Sequence, residues 1–312
     1  MKLQSYVTKT KFHLLSDRRI LSYQEFGDPL GLPVFYSHGT PGSRLEGELF
    51  HDEALTQSYR LICIDRPGFG ESTYLPNRNL LDYPKDIVEL ADELKIDKFA
   101  MIGWSGGAIH SLACGYAIPE RLLFNIILAG YTNFFEMPNA LTYLRSSLDQ
   151  VSVGLSKKHP LLFKLFFDLM AIGIKVAPEM SLNALVKSLN SSDKKTAANS
   201  IFKRLLCQTQ KEAFREGSIG VTTDASIHYQ DWGFNLSQIS APVQLLHGDE
   251  DHLVPVEFSR FNASKIPHSQ LHVFSGEGHL FPANQMKTIF SIANKTVENN
   301  YFVNKQHPHA AG

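Results

Sequence analysis

A chain of 312 residues that is 43% apolar and 20% charged can bury the core of a large α/β domain, and that composition excludes a disordered or fibrous chain. Lysines and arginines (30) nearly balance aspartates and glutamates (31), leaving a net charge of −1. The balance argues against a basic nucleic-acid surface and against an acidic solvating tail.

The opening residues, MKLQSYVTKTKF, lack the uninterrupted apolar run of a secretory signal. Cys63, Cys114 and Cys207 are odd in number, widely spaced and outside any CxxC pattern. They read as buried thiols in a reducing cytoplasm rather than a disulfide or metal site. Phe12–Leu15 and Ile20–Phe26 are predicted to form a hairpin around SDRR, and Val34–Ser37 a buried strand ending at HGTPG. Arg60–Asp65 is the next strand, followed by a helix over Asp82–Leu94, where Ile87, Leu90, Ala91 and Leu94 recur at helical spacing. A strand at Lys98–Gly103, a helix at Gly106–Ala117 and a strand at Leu122–Ala129 continue an alternation that predicts a largely parallel sheet.

Residues 131–236 are helical in character, with breaks at Asn190–Asp193 and Glu216–Ser218. Structureless loops of roughly a hundred residues are uncommon, so this insertion is expected to be an organised subdomain. Its most apolar stretch, Pro160–Ala177, is interrupted by Lys164, Asp168 and Lys175. A spanning helix needs about 20 mostly apolar residues, so an amphipathic helix without stable membrane insertion is predicted. Alternation returns with a strand at Pro242–Gly248, a helix at Val256–Ile266, a strand at Leu271–Phe274 and a closing helix after His279. The last residues, KQHPHAAG, read as a tail without function.

The sharpest chemical signal is Gly103-Trp104-Ser105-Gly106-Gly107, a GxSxG pattern between a strand and a helix. Such a nucleophile elbow lifts a serine hydroxyl to the apex of a tight turn, and glycines two residues either side let backbone pass where a Cβ would clash. The helix that follows aims its N–H groups and positive dipole end at Ser105. Acyl transfer also needs two fixed N–H donors for the developing oxyanion, each worth about 3–4 kcal/mol. Gly106, after the serine, supplies one; Thr40, in Ser37-His38-Gly39-Thr40-Pro41-Gly42, is the expected second. A base and its orienting acid must come from later strand ends. Asp249-Glu250-Asp251-His252 follows one strand and Ser275-Gly276-Glu277-Gly278-His279 the next. The order Ser105, Asp251, His279, with spacings of 146 and 28 residues, is one of the known chain orders of a catalytic triad.

These residues resemble the α/β-hydrolase superfamily, in its capped esterase, proline-iminopeptidase-like and epoxide-hydrolase-like branch. The matching blocks are HGTPG, DRPGFGES, GWSGG, HGDEDHLVP and GEGH, which together span nearly the whole chain outside the insertion. The resemblance implies a mostly parallel eight-stranded sheet flanked by helices, with a core domain from 1–130 and 237–312 and a helical cap over 131–236. It places the acid at the third position after HG, selecting Asp251 over Asp249, which is expected to cap or solvate its loop. The preceding strand ends in Gly130-Tyr131-Thr132-Asn133, with no carboxylate for that role.

The implied activity is serine hydrolysis of a small, largely apolar ester through an acyl-enzyme. Trp104 and His38 are candidate substrate contacts, and Phe134, Phe135, Leu161, Phe163, Phe166 and Phe167 supply aromatic and aliphatic surface for core and pocket. DRPGFGES lacks the GxGxxG fingerprint, and no HExxH or metal-ligand cluster occurs, so neither cofactor nor metal is expected. Two other readings stand beside the esterase. A proline-iminopeptidase-like enzyme would need cap acids, for which Glu136, Asp149, Asp168 and Glu212 are available. A ligand-binding protein on a silent hydrolase scaffold would need no working triad. A serine at the elbow argues against the carboxylate nucleophile of epoxide hydrolases.

Overall fold

In the computed structural model, which describes residues 8–145 and 147–306 with side chains at 147–149 and 300–306 left out, alternating apolar residues build one eight-stranded sheet. The KQHPHAAG tail lies outside the described residues from position 307. The strands are β1 (Lys11–Leu14), β2 (Ile20–Gly27), β3 (Leu32–Ser37), β4 (Tyr59–Ile64), β5 (Phe99–Trp104), β6 (Leu122–Leu128), β7 (Val243–Gly248) and β8 (Ser269–Phe274). Their order is β1-β2-β4-β3-β5-β6-β7-β8. The β1–β2 and β2–β4 pairs are antiparallel and the others parallel.

The predicted strands and helices recur within one or two residues at most ends. The buried strands carry apolar side chains on both faces, as sheets covered on both sides require. Val34 and Tyr36 of β3 join one core with Phe50, Ile289 and Phe290. Phe35 faces the other, with Ile87 and Leu90 of the helix below. The flanking helices are α1 (His51–Thr56), α2 (Tyr83–Glu93) and α3 (Gly107–Ala117). No element was expected between β3 and β4, yet a 3₁₀ helix at Arg44–Phe50 precedes α1. Its turn is pinned to the sheet at Gly47, where a Cβ would meet Cys63 Sγ and the Phe26 ring at 2.4 Å.

Between β6 and β7 the chain runs through α4 (Ala140–Tyr143), α5 (Ser147–Lys158), α6 (Pro160–Val176), α7 (Pro178–Lys187), α8 (Ser191–Ala197), α9 (Ser200–Ala213) and α10 (Ile219–His228). The expected break at Asn190 is where its side chain caps α8 by accepting from Asp193 N. Phe163, Phe167, Phe214 and Val221 of this segment pack with Phe69, Val254 and Phe258, so its core is continuous with loops at the strand ends. The chain closes with α11 (Val256–Lys265) and α12 (Met286–Gln306). Among the described residues no helix is long and apolar enough to cross a membrane. Cys63, Cys114 and Cys207 are buried free thiols.

Candidate active site

The strand-to-helix turn after β5 forces Ser105 to φ +54°, a left-handed conformation that non-glycine residues adopt at a cost and that recurs at functional turns. The turn is fixed by Ser105 N–H donating to Leu128 O at 2.8 Å and Ala108 N–H donating to Ser105 O at 3.0 Å. Its glycines are required by contact. A Cβ on Gly107 would lie 2.1 Å from Ser37 O, and one on Gly103 would lie 2.5 Å from Ser111 Oγ.

Asp251 and His279 meet across the ends of β7 and β8. His279 Nδ1 and Asp251 Oδ2 are 2.7 Å apart, and both residues are buried. The other carboxylate oxygen, Oδ1, accepts the N–H groups of Leu253 and Val254 at 2.8 and 2.9 Å. His247 Nε2 lies 3.3 Å from Oδ2. Burial alone would raise the Asp251 pKa, but the facing His279 and the hydrogen bonds from His247 and His279 outweigh it and hold it below the usual carboxylate range. For His279 burial works downward, yet the Asp251 charge and hydrogen bond prevail and raise its pKa above 6.5. With Nδ1 on Asp251, Nε2 is the ring nitrogen available to a reacting group. Asp249, the alternative acid, instead accepts Gly276 N–H at 2.7 Å and caps its loop.

Ser105 and His279 line one cavity of about 300 Å³. Thr40 lines it too, and Gly106 adjoins Thr40, since a Cβ on Gly106 would meet Thr40 Oγ1 at 2.5 Å. Neither backbone N–H has an acceptor among the described residues, which is the condition of a donor kept for a transient anion. Trp104 lines the cavity; its Nε1 donates to His279 O at 3.2 Å and its ring stacks on the imidazole at 6.0 Å. His38 departs from expectation. It is wholly buried and does not line the cavity, because its Nδ1 is 2.7 Å from Gly39 O and its ring packs on Phe69. Of the insertion residues singled out, Phe163, Phe166 and Phe167 line the cavity, whereas Phe135 and Leu161 face solvent.

Three carboxylates with no expected role at the site also bear on it. Glu46, from the 3₁₀ helix, lines the cavity and accepts Gly39 N–H and Tyr36 O–H, both at 2.9 Å. Burial pushes its pKa up to about 7 against those two bonds. Asp193 of α8 accepts the backbone N–H groups of His279 and Leu280 at 2.8 Å each, so the inserted helices grip the loop that carries the histidine. Asp224 of α10, fully buried, accepts from Thr40 Oγ1 at 2.8 Å and pairs with Arg66 and Arg78 at 2.8 and 2.9 Å. Arg66 also donates to His38 O and to Thr40 Oγ1 at 2.9 Å. The arginine of DRPGFGES thus ties α10 to the Thr40 loop. Only Glu46 lay near a recognisable block. Asp193 and Asp224 stand in helices whose local pattern is ordinary. No described group of three or more His, Cys, Asp or Glu is placed to hold a metal ion.

A sheet of this order, a strained serine between strand and helix, and an Asp–His pair at later strand ends define a fold class, and comparison with known proteins agrees. The family model for the alpha/beta hydrolase fold matches residues 33–283, and the chain belongs to that family. The proline iminopeptidase of Xylella fastidiosa (strain 9a5c) is 34% identical over 112 residues, 34% of this chain and 35% of that protein. The chain thus spans about a third of that relative's length. The pimeloyl-[acyl-carrier protein] methyl ester esterase of Aliivibrio fischeri (strain MJ11) is 23% identical over 261 residues, 83% of this chain and 90% of that protein. A thermophilic esterase from Thermogutta terrifontis superposes with a TM-score of 0.67 at 21% identity, covering 94% of this chain and 99% of that one. That likeness is one of fold.

Proposed function

We propose that this protein is a serine hydrolase of small, largely apolar carboxylic esters, with Ser105 as nucleophile, His279 as base and acid, and Asp251 as the orienting carboxylate. The observation that carries the reading is the 2.7 Å Asp251–His279 contact at a cavity that Ser105 shares. Residues 131–236 act as a cap on a core of 1–130 and 237–312. Ser105 Oγ attacks the ester carbonyl carbon as His279 Nε2 takes its proton. The carbonyl electron pair moves to the oxygen, which the Thr40 and Gly106 N–H groups receive. The pair returns, the C–O bond to the alcohol breaks, and the proton on Nε2 passes to the leaving oxygen. Water then repeats the sequence on the acyl-enzyme and frees the acid. Phe163, Phe166, Phe167 and Met170 give the cavity an apolar wall, which suits an aliphatic or aromatic substituent.

An aminopeptidase is the second reading, favoured by the iminopeptidase relative and by Glu46 in the cavity. The acids considered for that role are engaged elsewhere. Glu136 accepts Leu236 N–H at 2.8 Å, Asp168 pairs with Lys164 at 2.8 Å and Glu212 with Arg44 at 2.6 Å; the Asp149 side chain lies outside the described residues. A panel of p-nitrophenyl esters and aminoacyl anilides separates the readings. Ester turnover that disappears in Ser105→Ala is expected. Faster prolyl anilide cleavage would replace the esterase by the peptidase, and ligand binding without turnover would favour a silent scaffold.

A further inference from the structure

Helix α6 is apolar on two sides, and among the described residues only one of them packs against the rest of the fold. At about 100° per residue, Phe163, Phe166, Phe167, Met170, Ala171 and Ile174 occupy one arc, where the helix packs against α5, α7, α9 and α10 and borders the cavity through Phe166 and Met170. Leu161, Leu162, Leu165, Leu169, Ile172 and Val176 fall within a second arc of about 100°, and all six are between 50% and 83% exposed. The stripe is about 22 Å long at 1.5 Å per residue, and exposed Met180 on α7 follows it in the chain. Isolated exposed leucines are ordinary, but a continuous stripe of six marks a contact surface.

The charges around the stripe indicate what it contacts. Residues 157–187 hold five lysines against two carboxylates, a surplus of three positive charges in a chain whose net charge is −1. Lys157 and Lys158 are exposed just before α6, and Lys187 is exposed at the end of α7. Lys157 lies over the Phe135 ring at 4.6 Å. Lys164, Asp168 and Lys175 form the polar edge between the two apolar arcs. Lys164 is bonded to Asp168 at 2.8 Å, and Lys175 Nζ donates to Arg215 O at 3.1 Å. Of the acidic groups, Asp168 is taken by Lys164 and Ser218, and Glu179 pairs with Lys203 at 3.1 Å. An isologous contact between two copies would set this basic surround against itself. An exposed leucine-rich helix face flanked by lysines is suited to lie in a membrane interface.

We propose that the exposed face of α6 seats this protein on an anionic lipid surface, with the leucine stripe in the headgroup–acyl boundary and the flanking lysines on the phosphates. Three charged residues and a length of 17 residues make α6 lie on the bilayer rather than span it. The placement sets the inner face of the same helix, and the cavity behind it, one helix diameter from the lipid. If the ester reading is right, amphiphilic esters reach the site from the membrane; surface binding itself does not depend on it.

The test is co-sedimentation of the full chain with phosphatidylcholine vesicles, with and without phosphatidylglycerol, read without turnover. Binding to the anionic vesicles that weakens with salt is expected. Leu165→Glu with Leu169→Glu should reduce partitioning at least roughly tenfold while leaving circular dichroism and p-nitrophenyl acetate turnover unchanged, since neither side chain lines the cavity. Lys157→Glu with Lys158→Glu, which leaves the apolar stripe intact, should weaken binding to the anionic vesicles only. Absence of vesicle binding by the wild type overturns the proposal. So does a dimer that the leucine substitutions dissociate while vesicles remain unbound, because the face would then join two copies.

Discussion

Replacing Asp193 by asparagine tests whether the inserted helices position His279, the proposed catalytic base. Both carboxylate oxygens of Asp193 are engaged, one by His279 N–H and one by Leu280 N–H. Asparagine keeps one acceptor of nearly the same shape but turns an NH2 group toward the other N–H. One hydrogen bond to a charged group is therefore lost, about 1.5–3 kcal/mol. Burial raises the Asp193 pKa, so relief from desolvation offsets part of this, and the lower half of the range is expected. Asp193→Ala removes both bonds and should cost about twice as much. The larger effect is on the reaction, because a shift of about 1 Å in His279 costs on the order of 100-fold. Electrostatics adds a separate signature. The Asp193 charge helps raise the His279 pKa, so its removal lets that pKa fall. Since His279 must be neutral to act as base, the acid limb of kcat/KM should move to lower pH as the plateau drops. Urea unfolding and a pH–rate profile measure both. Asp193→Asn with wild-type stability, plateau and acid limb would refute the reasoning.

Asp224→Asn should cost about 3–5 kcal/mol, because it leaves Arg66 and Arg78 buried without their counter-charge, and it should also slow turnover through Thr40. Burial works against ionisation of Asp224, but Arg66, His110 and Arg78 hold its pKa well below 3.8. Its contribution to stability is thus present above pH 3.8 and lost as pH falls through the lower folded-state value; urea midpoints that match the wild type would contradict this. Glu46 has the opposite sign. Its pKa rises from 4.5 to about 7 on folding, so the wild type should lose stability relative to Glu46→Gln as pH climbs from 4.5 toward 7, on the order of 3 kcal/mol. Parallel stability curves for the two proteins would exclude that titration. Gly107→Ala, whose Cβ would sit 2.1 Å from Ser37 O, should abolish folding or cost more than about 4 kcal/mol. Gly154→Ala, with nothing within 4 Å, should be tolerated or stabilising by up to about 1 kcal/mol.

Much of this molecule is legible in the sequence because its strands are short, apolar and closed by turn residues. HGTPG, GWSGG and GEGH each sit at a strand end, where local chain geometry and chemistry coincide. Boundaries erred by a residue or two because helix ends depend on capping, as at Glu93, where the apolar face continues to Leu94 beyond the helix. The 3₁₀ helix at Arg44–Phe50 was hidden because its stability comes from packing on Phe26 and Cys63 rather than from periodicity. Asp193 and Asp224 were hidden for another reason: their partners lie 86 and 184 residues away in the chain. His38 misled because its place in the HGTPG block resembles that of a ligand contact, while its ring is consumed by Gly39 O and Phe69.

The central claim is that Ser105 is a nucleophile activated by His279 and Asp251. Mass spectrometry after treatment of the folded protein with a fluorophosphonate probe tests it most directly. The account predicts one adduct, on the peptide bearing Ser105, absent in Ser105→Ala and strongly slowed in His279→Ala. An adduct that survives Ser105→Ala, or a folded wild type that takes up no probe, would contradict it.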